Sequence, residues 1–254
     1  MNNTEKDFLQ EYKITDYEQP SVTVDIVPFA YDDAHEQLQI LLVKRKRHPF
    51  QDCWALAGGF INSDESAPEA VMRETLEETG VAVSRESIEQ LYTFTRPGRD
   101  PRGWIMSIAY LAFLEEASVV RAADDAADSA WFAVRVRADY LELYSAEKDV
   151  RLEIAFEGAE QTAVRPDDAA LAFDHDRIVR MAYLRIKNKL YYEPILLHAL
   201  KAPFDLKTTN RLYQAFLGIP VEYENHCRKL KPYLEKVGKA KGNVGRAAFV
   251  YRLK

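Results

Sequence analysis

The stretch Gly58-Gly59-Phe60-Ile61-Asn62-Ser63-Asp64-Glu65-Ser66-Ala67-Pro68-Glu69-Ala70-Val71-Met72-Arg73-Glu74-Thr75-Leu76-Glu77-Glu78-Thr79-Gly80-Val81 decides how the chain is read. It is a glycine loop feeding a helix. Ser66 suits the N-cap, and Glu69 three residues on completes a capping box. Pro68 falls in the first turn, where a missing N–H costs little. Gly80 suits the left-handed position that ends a helix.

Within that helix Glu74, Glu77 and Glu78 stand at i, i+3 and i+4. One face therefore carries three carboxylates, with ~5–6 Å between neighbouring Cβ atoms. Like charges so close repel, and the face gains from them only when something positive sits on it. Mg²⁺ or Mn²⁺ is the natural candidate, because hard dications take carboxylate oxygens, keep waters and share phosphate oxygens with a substrate. Arg73 can pair with Glu77 one turn on. Val71 and Thr75 lie on another face and point inward, docking the helix on a sheet. The alternative is an ordinary solvated acidic face.

Taken whole, the pattern is more specific than its carboxylates. Gly59, Glu65, Arg73-Glu74, Glu77-Glu78 and Gly80-Val81 resemble the Nudix box at every charged and glycine position. Thr75 departs from the aliphatic residue usual there, and is close in size to valine. The resemblance implies a Nudix α/β/α sandwich with a mixed sheet. It also implies that the Gly58 carbonyl, Glu74, Glu77 and Glu78 hold the metal, and that these glutamates and Arg73 form the catalytic set.

Charge divides the chain of 254 residues, whose net charge is −6. Residues 175–254 hold 17 Lys+Arg against 6 Asp+Glu, while residues 1–174 hold 17 against 34. Such a shift argues for two domains: an acidic one suited to metal ions and a basic one suited to a polyanion. The two cysteines, Cys53 and Cys227, imply no disulfide framework, and a reducing cytoplasm is the simpler setting. The first residues lack an apolar signal core, and the longest mostly apolar run, Ile105–Leu114, is too short to span a bilayer. No membrane partner is expected.

In chain order, residues 1–20 read as a loose arm or short helix. Ser21–Phe29 and Gln37–Val43 read as paired strands around an Asp32–Glu36 turn. Lys44-Arg45-Lys46-Arg47 follows, either a solvated strand end or a phosphate site that includes Arg45 and Arg47. Ile88–Thr95 and Ile105–Leu114 read as strands flanking Arg96-Pro-Gly-Arg-Asp-Pro-Arg-Gly-Trp104. That stiff cationic loop suits holding a phosphate or ribose through Arg96, Arg99 and Arg102; an ordinary hairpin turn is the alternative. Glu115–Asp128 reads as an acidic loop in which Asp125 or Asp128 could add a metal ligand or the base. Trp131-Phe132 starts a short strand, and a hairpin is expected around Glu157-Gly158. A helix over roughly Asp174–Leu190 opens on His175, either a substrate contact or a structural cap.

Beyond it, Glu193–Leu200, Leu206–Leu217 and Val221–Lys231 read as helices. Leu234–Val237 and Ala247–Leu253 read as strands flanking a lysine- and glycine-rich loop. This is the layout of a winged helix, its third helix entering the major groove and its hairpin lying along phosphates. Asn225 could read adenine and Arg228 guanine. His226 and Lys229 share that helix, and Lys239, Lys241 and Arg246 would supply phosphate charge. A winged helix used only for dimerisation or protein contacts is the alternative. The domains expected are thus an arm at 1–20, a Nudix domain at 21–172 and a winged helix at 173–254.

The whole chain resembles Nudix-related transcriptional regulators and their ADP-ribose-hydrolysing relatives. The resemblance is carried by Tyr17–Asp25, His48-Pro-Phe50, the box, Pro97–Gly103, Leu171-Ala-Phe-Asp-His175 and the basic tail. It implies a dimer that binds ADP-ribose, and double-stranded DNA as the partner of the C-terminal domain. Either the chain hydrolyses ADP-ribose or a related nucleoside diphosphate derivative to AMP and ribose 5-phosphate, or its pocket senses the ligand with little or no hydrolysis.

Overall fold

The computed structural model describes residues 5–115, 117, 126–156, 171–239 and 248–254. Asp125, Lys241, Arg246 and the second arm of the hairpin expected around Glu157-Gly158 lie outside these. Helix α1 (Glu5–Glu11) precedes strands β1 (Ser21–Asp32), β2 (Gln37–Arg45), β3 (Trp54–Ala55) and β4 (Ala57–Phe60). Helix α2 (Ala67–Thr79) then leads to β5 (Ile88–Phe94), β6 (Ile105–Leu114), β7 (Ala126–Val136), β8 (Tyr140–Ser145) and β9 (Val150–Ala155). Helix α3 (His175–Lys189) is followed by β10 (Phe204–Asp205), α4 (Leu206–Leu217), α5 (Tyr223–Leu230), β11 (Leu234–Lys239) and β12 (Phe249–Leu253).

The larger sheet follows the path β5-β6-β1-β2-β7-β8-β9, with β3 on β2 and β4 on β1. It is mixed, since β1 and β6 run parallel while β1 pairs antiparallel with β2 and β4. A central strand buried on both faces reads as a nearly continuous apolar run, and β1 is buried from Thr23 to Tyr31. On one face α2 contributes Ala70 and Val71 to a cluster with Val24, Ile26 and Tyr110. Thr75 points the same way and is fully buried, its hydroxyl donating to the Val71 carbonyl at 2.6 Å. On the other face α3 packs Ile178, Val179, Ala182 and Ile186 with Phe29, Leu38 and Phe132. Two helical layers thus enclose a mixed sheet, the α/β/α arrangement expected.

A smaller sheet of order β10-β12-β11 gathers at the C-terminal end beside α4 and α5. Its core is continuous with the larger one: Leu212, Tyr213, Phe216, Leu230 and Leu234 belong to the same cluster as Phe29 and Phe132.

Several local expectations differ from the structure. Strand β7 starts at Ala126, so Trp131-Phe132 stands in mid-strand and Asp128 is no loop residue. Strand β9 pairs with β8. The 193–200 segment is a 3₁₀ turn over Ile195–Ala199. Neither cysteine is in a disulfide, and Cys227 is core filler. Among the described residues no helix is long and apolar enough to cross a membrane.

Candidate functional site

Helix α2 is fixed at both ends by its own sequence. The Glu69 carboxylate accepts from the Ser66 N–H at 2.7 Å, and Gly80 adopts φ 70° with its N–H on the Leu76 carbonyl. One face docks on the sheet and the opposite face brings Glu74, Glu77 and Glu78 to a cavity of about 440 Å³. The same cavity is lined by Arg45 and Arg47, at and just beyond the end of β2, by Arg102 from the 96–104 loop and by Phe173. Gly58 and Gly59 form the floor. A Cβ on Gly59 would lie 2.2 Å from Glu74 Oε1, so only glycine lets this carboxylate come so near the strand.

Arg73 organises the acids, and does more than pair with Glu77. It forks onto Glu65 through Nε at 3.0 Å and Nη2 at 2.6 Å. Its Nη1 donates to Glu74 at 2.7 Å and to Glu77 at 3.1 Å, and Nη2 reaches the Phe60 carbonyl. The Glu65 carboxyl is thereby lowered to about 2 by Arg73, while Glu65 in turn holds the guanidinium above its ordinary value. Glu78 faces the opposite situation. Burial raises it to about 8, against the pull of the Gly58 N–H at 3.0 Å, and the neighbouring Glu74 charge pushes the same way. Glu74 is also raised, first by burial. Two acids are thus held where their negative charge is under-compensated.

An oxygen-only donor set of that kind fits a hard dication. Among the described residues no three His, Cys, Asp or Glu side chains converge as a ready cage, because Arg73 engages the oxygens of Glu74 and Glu77. Asp128 is not among the residues that line the cavity, and it pairs with Lys148 at 2.9 Å.

Of the residues expected to meet substrate, Arg45, Arg47 and Arg102 line the cavity and Arg96 does not. Arg99 lines it too, but its guanidinium is bound to Asp174 at 2.6 and 3.1 Å and approaches Asp25 at 3.6 Å. With a side chain only 4 % exposed, Arg99 is a strut across the site rather than a free cation. His175 is buried and its Nδ1 accepts from the Leu56 N–H at 2.9 Å. It also lines the cavity, and its other nitrogen lies 3.4 Å from Asp25. Asp25, which takes a hydrogen bond from the Ser107 hydroxyl, is a site residue that sequence reasoning missed. The available signal was a lone acid inside the apolar run Val24-Asp25-Ile26.

At the C-terminal end, Asn225 and Arg228 stand on the outward side of α5, joined by an Nη2–Oδ1 bond of 2.8 Å. Lys229 lies over the Tyr191 ring, and Lys239 is exposed on β11 near Phe249. His226 is a correction. It is 1 % exposed, meets Thr209 Oγ1 at 3.0 Å, and packs on Tyr213, so it cannot present an edge to a nucleic acid. Its place four residues before Leu230 and next to Cys227 is the signal that marks it as inward-facing.

The chain is similar to a MutT/nudix family protein from Enterococcus faecalis of known crystal structure. The two share 36% identity and a TM-score of 0.86, covering 99% of this chain and 94% of that one. It is 27% identical to the ADPR responsive transcriptional repressor NtrR of Acinetobacter baylyi, over 98% of this chain and 88% of the relative. It is 32% identical to an ADP-ribose pyrophosphatase of Methanocaldococcus jannaschii, over 71% of this chain and 81% of the relative. Residues 20–152 match the NUDIX domain model. With its glycine floor, its Arg73-centred acids and its mixed sheet between helical layers, this chain belongs to the NUDIX domain family.

Proposed function

We propose that this protein hydrolyses ADP-ribose, or a related nucleoside diphosphate derivative, to AMP and ribose 5-phosphate. The observation that carries the reading is the meeting of two charge sets in one cavity, which is lined by Glu74, Glu77 and Glu78 and by Arg45, Arg47 and Arg102. Cations alone would bind a diphosphate, and carboxylates alone would repel it. Together they suit a diphosphate carrying a metal ion. Mg²⁺ or Mn²⁺ would be held by Glu74, Glu77, Glu78 and the Gly58 carbonyl. Bound there, it would supply charge neutralisation at the phosphates and a lowered pKa for a water. The arginines orient the diphosphate, and the Arg99–Asp174 pair with His175 fixes the walls. A box glutamate takes the proton from the water that attacks one phosphorus in line, and the other phosphate leaves.

AMP release from ADP-ribose with Mg²⁺ or Mn²⁺ tests this. Glu77→Gln is expected to lose turnover, and a variant as fast as wild type would remove the hydrolase assignment.

A second reading is an ADP-ribose-responsive repressor whose pocket senses the ligand. It is favoured by the positive balance of residues 175–254 and by the kinship with a transcriptional repressor. Helices α4 and α5 with the β10-β12-β11 sheet suit a winged helix, Asn225 and Arg228 facing bases and Lys229 and Lys239 facing phosphates. Lys241 and Arg246 belong to the same proposal. A gel shift on the gene's own upstream region, run with and without ADP-ribose and at rising salt, separates the readings; both hold if binding and turnover coexist. A homodimer in the cytoplasm completes the proposal, and sedimentation of the full chain tests its stoichiometry.

A further inference from the structure

Phe173 adopts φ 56°, in the left-handed region that a residue with a β-carbon enters at a cost. Such residues are held by their surroundings, and they gather at ligand sites. Here the hold is visible on both sides. The Ala172 N–H donates to the Trp54 carbonyl at 2.8 Å, and the Leu56 N–H donates to His175 Nδ1 at 2.9 Å. The turn is thus clamped to the chain leading into the glycine floor, and the Phe173 ring becomes part of the cavity wall.

On that ring rest two cations. Arg45 Cζ lies 4.8 Å from its centroid and Arg102 Cζ lies 5.5 Å away. Phe50 packs beside it at 4.6 Å. Each guanidinium is anchored elsewhere too, and Arg102 also lies over the Phe60 ring at 5.2 Å. Arg45 Nε donates to the Pro49 carbonyl at 2.8 Å, and Arg102 donates through Nε and Nη2 to Asp100. Two cations so placed repel, and Arg45 is held below its ordinary pKa by burial and then by Arg102. The negative face of an aromatic ring attracts both and is what they share.

We propose that Phe173 is a positioning residue whose ring sets Arg45 and Arg102 as a pair for the two phosphates of a diphosphate ligand. This rests on the nucleoside diphosphate reading above. The strained backbone is what keeps the ring between the clamp and the cavity, so relieving it and removing the ring act in opposite directions on stability and on binding.

The test uses the full chain and two probes, inorganic pyrophosphate and ADP-ribose, by titration calorimetry, together with steady-state AMP release. Phe173→Gly relieves the backbone cost, because glycine accepts this φ, and loses the ring's packing on Phe50. Its pyrophosphate affinity is expected to fall about tenfold, and KM to rise with kcat changed less. Phe173→Leu keeps the β-carbon and loses the ring, and is expected to bind as weakly. Phe173→Tyr is expected to restore affinity. Pyrophosphate bound by Phe173→Gly or Phe173→Leu as tightly as by wild type would overturn the proposal, and so would a Phe173→Tyr variant that fails to rescue. Wild type that ignores pyrophosphate overturns it as well. Wild type that binds pyrophosphate but not ADP-ribose sinks the ligand reading alone, and the variants still decide the role of Phe173.

Discussion

Arg211 Nη2 lies 2.9 Å from Asp33 Oδ1, tying helix α4 to the turn between β1 and β2. The same guanidinium reaches Glu36 at 3.3 Å. Beneath it, burial raises the Tyr31 phenol to about 12 even though Arg211 pulls the other way. The two strands that leave this turn arrive at the cavity, β1 with Asp25 and β2 with Arg45. The β1–β2 hairpin therefore joins the cavity to helix α4. Arg211→Ala is expected to leave AMP release unchanged while the factor by which ADP-ribose alters DNA binding shrinks toward one. Couplings of this kind are worth ~1–3 kcal/mol, and paired gel shifts with and without ligand measure the factor directly.

Gly59→Ala is expected to separate activity from folding. The new methyl would meet Glu74 Oε1 at 2.2 Å, and that carboxylate is the mobile end of its side chain. It can swing aside, so the melting temperature should move little. Misplacing a reacting group by ~1 Å costs on the order of 100-fold in rate. AMP release should fall on that scale; an unchanged rate would mean Glu74 has no part in turnover.

Glu78→Gln carries a sign that can be worked out. The folded carboxyl is raised to about 8, while an unfolded glutamate titrates near ~4.3. Between these values the folded state binds more protons, so this group's contribution to stability is complete at low pH and is lost as pH rises through about 8. Without metal, the glutamine variant should therefore melt higher than wild type at pH 8, with the gap closing toward pH 5. Turnover should drop by on the order of 100-fold. Melting curves across pH in a chelating buffer read the first effect.

His226 works in the opposite sense. Burial lowers it to about 4, against ~6.5 in an unfolded chain. The unfolded state binds more protons between those values, so stability falls as pH drops from ~6.5 toward 4 and levels off below. His175 is lowered as well, by burial first, and adds to the trend. His226→Gln should flatten the acid limb of the melting profile without touching AMP release at neutral pH. A variant with the wild-type slope would show that this imidazole does not drive it.

The parts legible in the sequence are those encoded locally. Ser66, Glu69 and Gly80 mark the ends of α2 within one short stretch, and the 3-4 spacing of Glu74, Glu77 and Glu78 needs no tertiary knowledge. The run Ile105–Leu114 is apolar because β6 lies between two layers, and its bounds match. Strand β8 was not legible. Its Glu142 is 3 % exposed yet charged, which its surroundings allow: Arg135 on β7 lies 3.0 Å away, Arg137 3.4 Å and Arg151 on β9 3.9 Å. The cavity shows the same division. The box residues announced themselves, whereas Asp25, the Arg99–Asp174 pair and Phe173 act through neighbours up to a hundred or so residues distant, as with the 119-residue separation of Leu56 and His175.

The hydrophobic cluster that runs without a break from Phe132 to Phe216 has a bearing on how such a chain can be altered. A reader of nucleic acid that hung from a tether could be exchanged for another like a cartridge. A C-terminal region that lends Leu212, Tyr213 and Phe216 to its neighbour's interior cannot be cut away without leaving a raw apolar wound on both pieces. Heating should accordingly melt the two parts in a single step, and shortening the gene after Lys189 should yield insoluble product rather than a smaller folded protein.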